Sequence, residues 1–186
     1  MTNSAAQTDA ATDTAHIHAG GKFLTFELAN EEFALEILRV QEIIGVMDIT
    51  PVPQTPEFIR GVINLRGRIV PVLDLRSKFG MGTTELTDES CIIVVQTSGT
   101  PMGLLADRVR EVVNISSEQI DPVPYLASDV DTSCFLGIGK TANGVCLLLD
   151  IDAVLTSADA AGLQSIISQP GETEPASQTE LVDTLP

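Results

Sequence analysis

Hydrophobic positions in this chain fall in short blocks separated by turn residues, and their spacing predicts strands. Residues 23–28 place Leu24, Phe26 and Leu28 on one side, and residues 29–32 read as a turn before a second strand over 33–37. Residues 39–46 mix apolar and polar positions in a way that fits a strand or a single helical turn. The run TPVPQTPEF that follows excludes regular helix between Pro51 and Pro56. Residues 62–65 and 69–73 then read as a hairpin joined at Arg66-Gly67. Further strands are predicted over 91–97, 102–106, 109–115, 135–138 and 145–149. Many short strands at close spacing predict small barrels or sandwiches, not an alternating α/β sheet.

An internal echo runs through this pattern. Gly61-Val62-Ile63 leads through a turn to Asp74, and Gly137-Ile138 leads through Asn143-Gly144, a type I′ hairpin signal, to Asp150. The step from glycine to aspartate is 13 residues in both copies. Each aspartate precedes a short helix candidate, over 75–79 and 151–155, whose free amides it would cap. Two related lobes, each a hairpin followed by a helical turn, would give this echo, and so would chance in an aliphatic-rich chain.

The flanks differ from this middle. Residues 1–20 hold almost nothing to bury and are expected to be a disordered tail. Residues 21–157 form the expected domain. Residues 158–186 start with a weak helical pattern through Leu163, Ile166 and Ile167, then become an acidic, disordered tail. The N-terminus has no signal-peptide pattern, and apolar runs such as 91–95 and 145–149 are far too short to span a bilayer. A soluble, cytoplasmic protein is expected.

Charge narrows the partners. The formal net charge is −16, and residues 21–156 hold 19 acids against all ten bases. Such a chain repels phosphate backbones, which makes nucleic acid a poor partner. Five of the ten bases nevertheless lie between Arg60 and Gly80: Arg60, Arg66, Arg68, Arg76 and Lys78. A local arginine cluster on an acidic body points to a specific protein contact. Arg68 and Arg76 themselves read as solvated or strand-flanking charges.

Signals for chemistry fail on inspection. Gly139-Lys140-Thr141 resembles the end of a phosphate-binding loop, but Cys134 stands where the first glycine is needed and a hairpin follows where a helix is needed. Asp129-Val130-Asp131 starts like a calcium loop, yet positions six and twelve are Cys134 and Lys140. Cys91, Cys134 and Cys146 lack CxxC spacing and sit in strand-like runs, so they read as buried hydrophobes. The only histidines, His16 and His18, are in the tail, which leaves the domain without a general base of ordinary pKa. No enzyme, cofactor or metal is expected.

With the segments in order, the chain resembles the CheW family, the coupling proteins of bacterial chemotaxis. The resemblance covers about residues 22–156 and rests on FLTFEL, EEFALEILRVQEII, TPEFIRGVINLRGRIVPVLDLRSKFG, CIIVVQ, MGLLADRVREVVNIS, SSEQIDPVP and FLGIG…GVCLLLDID. It implies a mainly β fold of two small five-stranded barrels packed together, with short helical turns and no active site. It implies an adaptor that joins the cytoplasmic tips of chemoreceptors to the CheA histidine kinase in membrane-associated arrays. Arg66, in the NLRG turn, matches the family's functional arginine beside the receptor groove, and Glu42 matches the acid that pairs with it. Ile37, Val40 and Val109 match positions on or beside that groove, although the residues alone fit buried core equally well. The kinase side is implied at Ile43, Ile44 and Val46 and around Asp121, Tyr125 and Leu126. Ile44 and Asp121 stand where many relatives carry a basic residue, so partner charge there is expected to differ. Two other readings stay open: a similar adaptor in a non-chemotactic receptor–kinase pathway, and a generic small-ligand-binding barrel.

Overall fold

The computed structural model describes residues 20–98, 100–123 and 133–154. The expected tails, together with Tyr125 and Leu126, lie outside the described residues. The elements are β1 (Gly21–Leu28), β2 (Glu31–Glu36), a 3₁₀ turn (Ile37–Arg39), β3 (Val40–Gly45), β4 (Ile59–Leu65), β5 (Arg68–Asp74) and α1 (Leu75–Lys78). Then come β6 (Cys91–Gln96), β7 (Pro101–Ala106), β8 (Arg108–Ile115), a 3₁₀ turn (Ser117–Gln119), β9 (Ile120–Asp121), β10 (Phe135–Thr141) and β11 (Gly144–Leu149). The ambiguous stretch 39–46 resolves as both alternatives in series, the end of a 3₁₀ turn and then β3. The two-residue β9 was not visible in the sequence pattern.

These strands form two lobes. The first is a six-stranded sheet in the order β8-β1-β2-β11-β10-β9, and the second a five-stranded sheet in the order β3-β6-β7-β5-β4. Their ladders are equivalent strand by strand. Each has an antiparallel hairpin (β1–β2, β6–β7) joined in parallel to the last strand of a second hairpin (β11 to β2, β5 to β7). Neither sheet closes into a barrel, but a short contact draws each one round on itself. In lobe one β9, which continues from β8, pairs with β10; in lobe two Thr50, downstream of β3, makes one antiparallel bridge to Val62. The twin β-lobes are as expected, but they are not closed five-stranded barrels: lobe one has six strands, and these brief pairings stand where a full closing ladder would be.

The two echo glycines explain how closure is possible. Gly61 (φ +140°) and Gly137 each sit at a bulge in their hairpin, where the closing chain crosses. A Cβ on Gly61 would lie 2.1 Å from the Thr50 carbonyl oxygen, and one on Gly137 would lie 2.8 Å from that of Asp121. Both positions require the backbone to approach closer than any side chain permits. The two aspartates are equivalent as well. Asp74 accepts from the Ser77 amide at the start of α1, and Asp150 accepts from the amides of Asp152 and Ala153 in a turn. Asp74 is fully buried and also takes the amide and hydroxyl of Thr84, which fastens the segment before β6.

Burial accounts for the uninterrupted apolar runs. Along β6, Ile92 and Val94 point into the interior of lobe two with Ile63, Val70, Val72 and Leu105, while Cys91, Ile93 and Val95 point to the layer between the lobes. In β1, Phe23 enters the interior of lobe one, and Leu24, Phe26 and Leu28 enter the shared layer. A strand with a core on both faces has no polar side to alternate with. Phe26, Phe33, Phe79 and Phe135 form a chain of ring contacts through the shared layer, with centroids 5.4–6.0 Å apart.

The chain crosses between lobes twice, and an ion pair lies at each crossing. Arg39, at the passage into β3, meets Asp152 at 2.7 Å, and the other Asp152 oxygen accepts the amide and hydroxyl of Ser98. Asp107, at the passage from β7 to β8, accepts the Ala29 amide and lies 3.5 Å from Arg76. Arg76 is therefore not a solvated charge: α1 points it at the crossing, where it is largely buried. The β10–β11 turn also differs from expectation. Ala142 and Asn143 form the loop, without positive φ, and the left-handed residue is Gly144 (φ +150°), so this is not the Asn-Gly type I′ turn. The turns in which both central residues have positive φ are Ala29-Asn30 and Arg66-Gly67.

One buried acid predicts a pH response. Glu27 accepts hydrogen bonds from both Arg108 and Arg110, paired across the β1–β8 edge. Burial alone would raise its pKa, but the two guanidiniums outweigh burial and hold it below the ordinary value. Asp152 is displaced the same way by Ser98 and Arg39. A folded pKa below the unfolded one adds stability above the ordinary carboxylate range, and that stability disappears as pH falls through the folded value. The melting temperature should hold from pH 7 to about 5 and then fall. Glu27→Gln should cost about 2 kcal/mol at neutral pH and make the acid-side fall shallower, as read by melting curves across pH.

Candidate functional site

The β4–β5 hairpin carries Arg66 at its tip. Its turn residues Arg66 and Gly67 have φ of +53° and +85°, the sign pattern of a type I′ turn. An Asn-Gly pair suits such a turn, whereas a long L-residue in the left-handed region costs about 1–2 kcal/mol. The side-chain oxygen of Asn64 accepts the Gly67 amide at 2.8 Å and braces the turn. Arginine thus occupies a place where the backbone favours another residue.

From this turn Arg66 reaches Glu42 on β3, Nη2 to Oε2, at 2.9 Å. The guanidinium is 80% exposed and the carboxylate 26%. A pair this open contributes about 0–1 kcal/mol to folding, so the hairpin is not held mainly by it. What the pair spans matters more. β3 is laddered on one side only, to β6, and its other edge faces the hairpin across an open seam. A cleft of about 140 Å³ lies there, lined by Gln41, Glu42, Leu65, Arg66, Arg68, Val70, Val94 and Pro101.

Ile37, Val40 and Val109 are partly exposed and pack against the layer between the lobes. The core reading thus holds for all three, and part of each remains open to solvent. Leu38, which the sequence reading missed, is 92% exposed beside Ile37 in the 3₁₀ turn at the first crossing. An aliphatic residue at the junction of two strands was the available signal.

The residues implied for the kinase side divide. Ile43 is exposed on β3, on the side opposite Glu42, whereas Ile44 and Val46 pack against the interior of lobe two. Asp121, at the closing strand β9, pairs with Lys140 at 2.7 Å. The sequence cluster of bases is not one patch in space. Arg60 lies 4.0 Å from Asp74, Lys78 stands over the Phe58 ring, and Arg76 turns to the second crossing. Only Arg66 and Arg68 share the cleft.

The cysteines offer no nucleophile. All three are buried, and burial raises the thiol pKa of Cys91 and pushes that of Cys146 up to about 11. Among the described residues no helix is long and apolar enough to cross a membrane.

Comparison with known proteins identifies the family and the fold. The CheW-like domain model matches residues 22–159. The chain is 37% identical to the chemotaxis protein CheW of Klebsiella aerogenes over 147 residues, 79% of this chain and 89% of that protein. Identity is also 37% to the chemotaxis protein CheW of Thermotoga maritima, over 71% and 85% of the two chains. Among solved structures, the scaffolding protein TtCheW of Thermoanaerobacter tengcongensis superposes with a TM-score of 0.69 at 37% identity, covering 75% of this chain and 90% of that one.

Proposed function

The chain belongs to the CheW-like family, and on that premise we propose how this chemotaxis adaptor, which is not an enzyme, holds its two partners. One partner is the cytoplasmic tip of a chemoreceptor and the other the regulatory domain of the CheA histidine kinase, both in the cytoplasm at the receptor array. The receptor tip lies along the groove edged by Ile37, Val40 and Val109, with the Glu42–Arg66 pair at its end. The kinase domain docks on the other side of β3 through Ile43, with a second contact around Asp121, Tyr125 and Leu126. Ile44 and Val46 support that face from within.

The observation that carries this reading is the Arg66 turn. A left-handed arginine, braced by Asn64 and joined to Glu42, contributes little to folding and is presented to the outside. The planar guanidinium suits it, because the fork keeps both charge and direction. Leu38, exposed beside Ile37, adds an aliphatic anchor to the groove edge. A pull-down from lysate with the intact chain tests the proposal: it should retain a receptor and a histidine kinase together. Retention of neither would reject it.

A further inference from the structure

Six of the seven arginines lie within 4.0 Å of a carboxylate: Arg39, Arg60, Arg66, Arg76, Arg108 and Arg110. Arg68 alone has no such partner among the described residues, although the chain carries 26 acids. It is exposed, opposite Leu65 at the start of β5, and lines the cleft with Arg66 and Glu42. We propose that this cleft is a carboxylate-recognising subsite, in which Arg68 grips an acidic side chain of the receptor tip. The subsite rests on the assignment of Arg66 to the receptor groove and defines the chemistry of what that groove accepts.

Three features of the cleft favour a carboxylate. Its charged lining is two guanidiniums against one carboxylate, a local positive excess on a chain of net charge −16. Arg66 spends one nitrogen on Glu42, so its remaining donors and all of those of Arg68 face solvent or a partner. Val70, Val94, Leu65 and Pro101 also line the cleft, so apolar surface stands beside the two guanidiniums. The cleft, of about 140 Å³, has room for an acidic side chain. The matching receptor feature is a glutamate or aspartate beside an aliphatic residue, the acid on Arg68 and its neighbour against Leu65 and Pro101. An unpaired surface arginine is ordinary in itself; one beside a second guanidinium at the open edge of β3 is placed for an acid from outside.

The probe is the receptor cytoplasmic fragment, titrated against the parent chain, R66E, R68A and R68E at about 50 and about 300 mM salt, since exposed pairs weaken as screening grows. Arg68 is exposed, so all three variants should melt with the parent. R68A should bind about tenfold more weakly at low salt, with the gap narrowing at high salt, and R68E should bind more weakly still. Replacing one acid of the fragment tip with lysine should restore binding to R68E. If R66E loses binding while R68A and R68E match the parent at both salts, the subsite is wrong and the groove stands. If R66E itself binds normally, the groove assignment falls and the subsite with it. If R68E instead changes self-association, the occupant is a second copy of this chain and the proposal is overturned.

Discussion

Arg66→Glu should leave the fold intact and remove receptor binding. The guanidinium is exposed, and its pair with Glu42 contributes about 0–1 kcal/mol, so melting should move by no more than about 4 °C. Binding should fall by at least about a hundredfold, because the change removes a directed cation and sets a carboxylate beside Glu42 at a groove meant for an acidic partner. Arg66→Asn separates the two roles of this position. Asparagine tolerates φ of +53°, so the variant should gain up to about 1 kcal/mol and melt slightly higher while still losing the receptor. A variant that folds better and binds worse would show that the native arginine is retained against the preference of its turn. Melting curves and titration of the receptor fragment, run on the same samples, read both effects.

Gly61→Ala should do the reverse. Its Cβ would stand 2.1 Å from the Thr50 oxygen and 2.7 Å from the carbonyl carbon, backbone atoms that cannot move without breaking the bridge that closes lobe two. The left-handed φ adds strain of its own. A loss of about 3 kcal/mol or more follows, read as a fall of about 6–12 °C in melting temperature. Gly67→Ala is the control. No atom lies within 4 Å of its would-be Cβ, so only the φ of +85° is penalised and the loss should stay near 1 kcal/mol. If Gly61→Ala melted no lower than Gly67→Ala, the crossing would not be what requires glycine there.

Strands were legible in the sequence where local pattern and core agree. The runs at 91–97 and 102–106 read as strands because two cores enclose them, and they form as Cys91–Gln96 and Pro101–Ala106. The glycine–aspartate echo was legible because close approach and capping each demand one residue type. Asp150 accepts the amides of Asp152 and Ala153 as expected, but residues 151–154 form a turn where a helix was expected, and Leu155 is outside the described residues. Contacts between distant positions were not legible. Glu27 and Arg110 are 83 residues apart, and Arg39 and Asp152 are 113 apart, so no local pattern joins them. Arg76 looked solvated because its partner Asp107 belongs to the far side of a crossing. Arg66 and Glu42, 24 residues apart, came from the family resemblance and not from spacing; the residues alone could not separate a docking pair from two surface charges.

The interleaved chain bears on function. Lobe one is built from both ends of the domain, and lobe two from the segment between the crossings. With a continuous apolar layer and an ion pair at each crossing, the lobes form a firm block. Under the proposed docking, this packing would keep the receptor and kinase faces of β3 in a fixed relation.

The most direct measurement is retention of the kinase on immobilised receptor cytoplasmic fragment, with and without this chain. The account predicts that kinase is retained when the intact chain is present, and that it is lost when the R66E variant replaces the parent. Equal retention with parent, variant and no chain at all would contradict a scaffold that joins the two.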